Sequence, residues 1–314
     1  MPLPRRALAA TIGLACWLVA AGAAAPAPAS TPAQLLARHA PVLVLHPSER
    51  FAPVPVDGFL SDSDLLVRAA DGTWQPSAVP LAQAGRTARL DRRTCLAIEG
   101  PAALGCYVAG EEAHGAAPTV YGAVRRTGNR IALQYWLFYP ANLLSVTAAS
   151  GRFWQFHEGD WEAVTVLLDS DERPQTVALS EHCAGARREW TRAPRRGSRP
   201  VVYVALGSHA NYFTPGRKRL ERRCWPREAV AVAAAYRVAL LDVAGRGRTV
   251  TPVVSVIAAG SPPWMAFAGT WGEDQYVRFP GVAPLRYGAG PAGPAFHVLW
   301  RAPVATVLGW PPAR

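Results

Sequence analysis

Residues 157–168 read His-Glu-Gly-Asp-Trp-Glu-Ala-Val-Thr-Val-Leu-Leu, so a histidine and three acids run without a break into an apolar segment. That segment has the length and β-branched character of a fully buried strand, and Asp169 to Pro174 supply the turn that ends it. Burying an ionised carboxylate is costly unless a cation or several donors compensate it. Asp160 and Glu162 stand two apart, so on a strand both face one way, with Cα atoms about 6.5 Å apart. One divalent cation between them resolves the charge; the alternative is that the two acids cap loops or pair with arginines. His157, three residues before Asp160, faces the other side of an unbroken strand, but Gly159 can relax the backbone and bring it round. Oxygen donors in the majority favour calcium, magnesium or manganese over zinc.

Residues 1–29 have the pattern of a secretory signal peptide: Arg5 and Arg6, an apolar stretch from Ala7 to Ala24, then small residues suited to cleavage. An uncleaved anchor is the alternative, since the apolar run is close to the ~18 residues that span a bilayer. Removing Arg5 and Arg6 leaves 31 basic side chains against 22 acidic, a net charge of +9. Lys218 is the only lysine. Cys95, Cys106, Cys183 and Cys224 remain, an even number that in an oxidising compartment predicts two disulfides. Of three connectivities, Cys95–Cys106 and Cys183–Cys224 are favoured by proximity in sequence and by flanking one β segment. A zinc site is the competitor, but no C-x-x-C spacing is present.

Residues 30–314 read as a single mainly β domain, a β-sandwich of antiparallel strands with a few short peripheral helices. A capped helix is predicted over 30–39, a strand over 41–45, and a second short helix beginning at Ser61-Asp62-Ser63-Asp64. Strands are predicted over 131–139, stopping at Pro140, and over 160–168, 175–181 and 201–206; residues 226–241 read as a helix, with their Val-Ala-Val-Ala portion equally compatible with a strand. If the first three of these strands form a meander, Asn142, the 157–162 segment and His182 share one end of the sheet, and Gly207-Ser208-His209 reaches the same rim. Four polar clusters then converge, with Glu158, His182, Ser208 and His209 lining the site.

Several motifs carry a resemblance: residues 40–49 (Ala-Pro-Val-Leu-Val-Leu-His-Pro-Ser-Glu), 157–162, 203–213 (Tyr-Val-Ala-Leu-Gly-Ser-His-Ala-Asn-Tyr-Phe) and 269–272 (Gly-Thr-Trp-Gly). Together, across residues 38–275, they resemble the vacuolar protein sorting-associated protein 62-related family. The H-x-x-D-W-E core is similar, more distantly, to the heptapeptide of the necrosis- and ethylene-inducing secreted cytolysins, β-sandwich proteins that carry a divalent cation. That resemblance implies His157, Asp160 and Glu162 as ligands, and places Asn142 where those proteins use an aspartate. Asparagine coordinates through its carbonyl but brings no charge, which lowers the expected affinity. Glu158-Gly159 replaces the Arg-His of the cytolysins, a departure that counts against toxin activity.

Three functions follow as expectations. The first is a secreted, cation-dependent module that recognises an anionic lipid headgroup or glycan, with peripheral membrane contact. Arg187, Arg188, Arg192, Arg195, Arg196 and Arg199, then Arg217, Lys218, Arg219, Arg222, Arg223 and Arg227, support it, because guanidinium forks suit phosphate and carboxylate. The second is a hydrolase using cation-activated water, with His182 or His209 as acid or base. The third is a structural protein whose cation holds loops together. Export and the lack of a recognition helix argue against nucleic acid.

Overall fold

The apolar run at 131–139 lacks alternation because its strand is covered on both faces. This arrangement governs the computed structural model, which describes residues 29–93, 101–148, 151–257 and 262–313. In chain order the elements used below are α1 (Pro32–His39), β1 (Val42–Val44), α2 (Val56–Asp62), α3 (Pro101–His114), β2 (Thr119–Thr127), β3 (Arg130–Ala148), β4 (Gly151–Leu168), β5 (Pro174–Glu181), β6 (Ala184–Glu189), β7 (Arg199–Val204), β8 (Gly216–Arg219), α4 (Arg227–Ala235) and β9 (Leu241–Ala244). The signal-peptide segment up to residue 28, and Cys95 with its expected bond to Cys106, lie outside the described residues.

β2 to β6 are successive antiparallel neighbours, with Tyr121 opposite Trp136, Leu137 opposite Glu162, Val164 opposite Leu179 and Leu179 opposite Ala186. The first half of β4 lies beyond the reach of β5 and pairs instead with Gln275–Arg278, Tyr276 opposite Phe156. Odd-numbered residues of the run (Ile131, Leu133, Tyr135, Leu137) pack with Leu35, Leu36, Leu43 and Val202 from α1 and a second sheet. Even-numbered Trp136 and Phe138 join an aromatic layer with Phe59, Trp161, Trp264, Phe267 and Trp271. The fold is therefore mainly β, layered as a sandwich, with short helices at its periphery. Not every pairing is antiparallel: β1 lies parallel to β7, Leu43 opposite Val202.

α1 begins as expected, in a capping box where the Thr31 hydroxyl accepts from Gln34 N and Gln34 Oε1 accepts from Thr31 N. The helix expected from Ser61 is misplaced, because α2 ends there and a strand, Ser63–Arg68, begins. Ser61 and Ser63 donate their hydroxyls back to Gly58 O and Phe59 O, so they close the helix and do not open one. β3 does not stop at Pro140 but runs on to Ala148. α4 confirms the helix after Pro226, ending at Ala235 rather than 241. The Cys183–Cys224 disulfide is formed.

Candidate functional site

Pro140 and Gly159 together reset the strand pair that carries the acids. Tyr139 pairs with Asp160 and Ala141 with Glu158, while no pair joins Pro140 to Gly159. Proline has no N–H to offer there, and Gly159 has φ +53°, a conformation that suits glycine. The alternation of side chains restarts at this point. His157 therefore lines the same cavity as Asp160 and Glu162, as Gly159 suggested, and Glu158 is turned away. The expectation that Glu158 lines the site is corrected: it accepts from the Tyr107 hydroxyl and from Arg92 N on the opposite face. Burial there raises its carboxyl to about 7.

His157, Asp160, Glu162, Asn142, His182 and Ser208 line one cavity of about 210 Å³. Asn142 comes from β3, in register with His157, and its amide donates to Ser208 O at 3.3 Å and Asp160 Oδ2 at 3.4 Å. The Gly207–Ser208 loop is fastened to β3 by Leu143 N donating to Gly207 O at 2.8 Å. The expected convergence is thus present, although β7 delivers its loop from the second sheet.

Asp160 and Glu162 are 8% and 4% exposed, and neither is clasped by a guanidinium among the described residues. Asp160 Oδ2 accepts from His209 Nδ1 at 2.9 Å, and His209 Nε2 lies 3.6 Å from Glu49 Oε1. Glu49 also accepts from Phe51 N and Gly207 N. Burial pulls the His209 pKa down, but Glu49 and Asp160 overcome it and hold it at about 9. His209 touches Asp160 from behind and does not line the cavity; its ring stacks on Tyr139 at 3.9 Å and 4°. Glu162 accepts from the Ser180 hydroxyl. Burial first, and then the Asp160 charge, push its carboxyl well above the ordinary range.

His157 Nδ1 lies 3.1 and 3.0 Å from the carbonyls of Glu158 and Gly159, so Nδ1–H donates and Nε2 keeps a lone pair. Burial lowers its pKa, which keeps the ring neutral. This is the tautomer a metal-bound imidazole needs. Asn142 Oδ1 is buried and has no hydrogen-bond partner. The donor chemistry of these four residues suits a hard divalent cation. As placed, no three His, Cys, Asp or Glu side chains among the described residues form a metal-spaced group.

His182, with φ +56°, gives Nε2 to Asp242 Oδ2 at 2.8 Å. Asp242 also accepts from Ser208 Oγ at 2.7 Å and Tyr212 OH at 2.6 Å. Glu49, Asp242, Ser180 and Tyr212 carry the site's polar network without having been singled out in the sequence. Asp242 had the same signal as Asp160, an acid inside an apolar run. Glu49 stood within a resemblance motif. Of the basic runs, Arg188, Arg217, Lys218, Arg219 and Arg223 gather in one groove. Arg187, Arg195 and Arg199 instead donate to the carbonyls of Trp310, Trp190 and Ala40.

No protein-family profile matches the chain. Both resemblances read from its motifs recur in comparisons with known proteins. The vacuolar protein sorting-associated protein TDA6 of Saccharomyces cerevisiae is 25% identical over 224 residues, 59% of this chain. The chain spans 45% of that protein's length. Among solved structures, NLPPya in complex with glucosamine is 19% identical with a TM-score of 0.34, covering 60% of this chain and 70% of that one. Necrosis and Ethylene inducing Protein 2 from the causal agent of cocoa's Witches Broom disease is 20% identical with a TM-score of 0.30, covering 59% and 71%.

Proposed function

We propose that the chain is an exported protein that holds a divalent cation between β3 and β4 and uses it to recognise an oxygen-rich anionic lipid headgroup or glycan. One observation carries this reading. His157, Asp160, Glu162 and Asn142 face a single open cavity, with the imidazole in the ligating tautomer and the amide oxygen without a partner. Those four residues would hold the ion, which supplies a positive centre able to bind ligand oxygens in an otherwise acidic cavity. The Cys183–Cys224 bond supports export, since such bonds persist in oxidising compartments. No helix among the described residues is long and apolar enough to cross a membrane.

Binding is favoured over hydrolysis by what the histidines do. His209 is fixed between two carboxylates behind the cavity and presents no base to it. His182, although burial acts against its charge, is held toward the imidazolium form by Asp242. The test is titration calorimetry of the mature protein with Ca²⁺, Mg²⁺, Mn²⁺ and Zn²⁺. Capture of anionic vesicles and a glycan array, with and without EDTA, accompanies it. Saturable binding of an oxygen-preferring cation, lost in Glu162→Gln, and capture that EDTA reverses are expected. Wild-type cation affinity in Glu162→Gln would show that the ligand set is wrong.

A further inference from the structure

A second cavity, of about 310 Å³, lies on the other side of the His182–Asp242–Tyr212 network and shares none of the four proposed cation ligands. Its volume is at the lower end of small-molecule sites. One wall is β8, which pairs with β9 and presents Arg217, Lys218 and Arg219. The other is the edge of β6 with the chain's last residues laid along it: Arg187 N donates to Pro311 O at 3.0 Å and Ala313 N to Arg187 O at 2.8 Å. Trp310 packs against Gly185 where a Cβ would meet its ring at 2.4 Å, so this wall is built around a glycine.

Five cationic side chains line the groove against two acids, Glu181 and Glu221, and Glu221 is 4.0 Å from Arg223. No carboxylate among the described residues lies within ion-pairing distance of Arg217, Lys218 or Arg219. The floor is aromatic: the Arg188 guanidinium sits 5.0 Å from the Phe213 ring centroid and the Lys218 ammonium 5.8 Å from that of Tyr212. Ring faces hold these two cations in place. Burial, and then Arg188, act against the Lys218 charge, although Glu181 partly offsets them. Arg217 and Arg219 are two apart on a strand and both exposed, so their forks project side by side. Like charges concentrated over an apolar floor repel one another until an anion joins them.

We propose that this groove binds a phosphate monoester, its dianionic group held by Arg217 and Arg219 with Lys218 and Arg188 behind them. The ester is either free in solution or the headgroup of a lipid, and both sources present the same dianion. The groove acts independently of the cation site.

The test uses the mature protein in EDTA, titrated with glycerol 3-phosphate and, separately, with phosphatidylcholine vesicles with and without phosphatidic acid. Saturable binding of glycerol 3-phosphate identifies a soluble ester, and capture of phosphatidic-acid vesicles alone identifies a lipid headgroup. The double variant Arg217→Gln with Arg219→Gln should weaken the binding about tenfold or more, as expected for losing hydrogen bonds to a charged group. Because both side chains are exposed, its melting temperature should match the wild type. Replacing both with Lys should restore part of the affinity, since charge returns without the fork. Asp160→Asn should bind the phosphate as the wild type does, so loss of the cation site leaves this result standing. Binding of neither probe, wild-type affinity in the Gln variant, or abolition by EDTA each overturns the proposal.

Discussion

His209 has no exposed surface, yet its ring lies between Asp160 and Glu49 with nitrogens 2.9 and 3.6 Å from their oxygens. Held at about 9, it is a cation at neutral pH and is the charge that permits two acids to lie this deep. Removing one partner of a buried ionic set leaves the others uncompensated, which costs about 3–5 kcal/mol. His209→Phe keeps a ring against Tyr139 and His209→Gln keeps a polar group, but neither keeps the charge. Both are expected to lose stability by that amount in urea unfolding; a wild-type midpoint in His209→Phe would show that stacking, not charge, is what matters. Glu181 gives the opposite case. Burial is the leading cause that raises its carboxyl from 4.5 to about 7. An acid raised by folding contributes full stability below its unfolded pKa and loses it as pH rises toward the folded value. Glu181→Gln should therefore be neutral at pH 4 and stabilising above pH 7, by no more than about 3.5 kcal/mol at ~1.4 kcal/mol per unit. Unfolding curves at the two pH values decide it.

At the scale of elements, the site exists because the β3–β4 ladder skips one rung, at Pro140 and Gly159, while keeping its register on either side. A Cβ on Gly159 would lie 2.5 Å from Trp271 O, on a backbone with φ +53°. Gly159→Ala should thus cost about 1–3 kcal/mol in backbone strain alone, and it should weaken cation binding more than Glu158→Gln does, because it moves His157 relative to Asp160. Equal effects of the two substitutions would remove the kink from the argument. The acids, His157 and the apolar strands were legible in sequence because each rests on local spacing: two residues apart for Asp160 and Glu162, an unbroken apolar run for β3. Pro140 read as a stop because only the partner strand shows that its missing N–H falls where the ladder has no rung. Ser61 and Asp62 read as a helix start because their hydrogen-bonding residue types serve either end, and the carbonyls of Gly58 and Phe59 decided which. Glu49 lies 158 positions from Gly207, whose amide it accepts, and Asp242 lies 34 from Ser208; partners so distant leave no spacing to read.

For the whole molecule, a bound cation has two thermodynamic consequences, a gain in stability and an exchange of protons. An ion that binds only the folded state stabilises it by RT ln(1 + [L]/Kd), about 2.7 kcal/mol at a hundredfold excess over Kd. For a chain of this size that raises the melting temperature by roughly 4–5 °C. Ligating carboxylates must also be deprotonated, so an ion entering beside Glu162, whose burial and Asp160 neighbour favour the protonated form, displaces a proton. Calorimetric titration in two buffers of different ionisation enthalpy should then give different apparent heats at pH 7. Glu162→Gln should lose both the melting shift and the buffer dependence, whereas the Arg217 and Arg219 variant should keep both. A stabilising ion that releases no proton would place it somewhere other than between Asp160 and Glu162, and a melting temperature indifferent to every divalent cation would leave the two acids balanced by His209 and a proton alone.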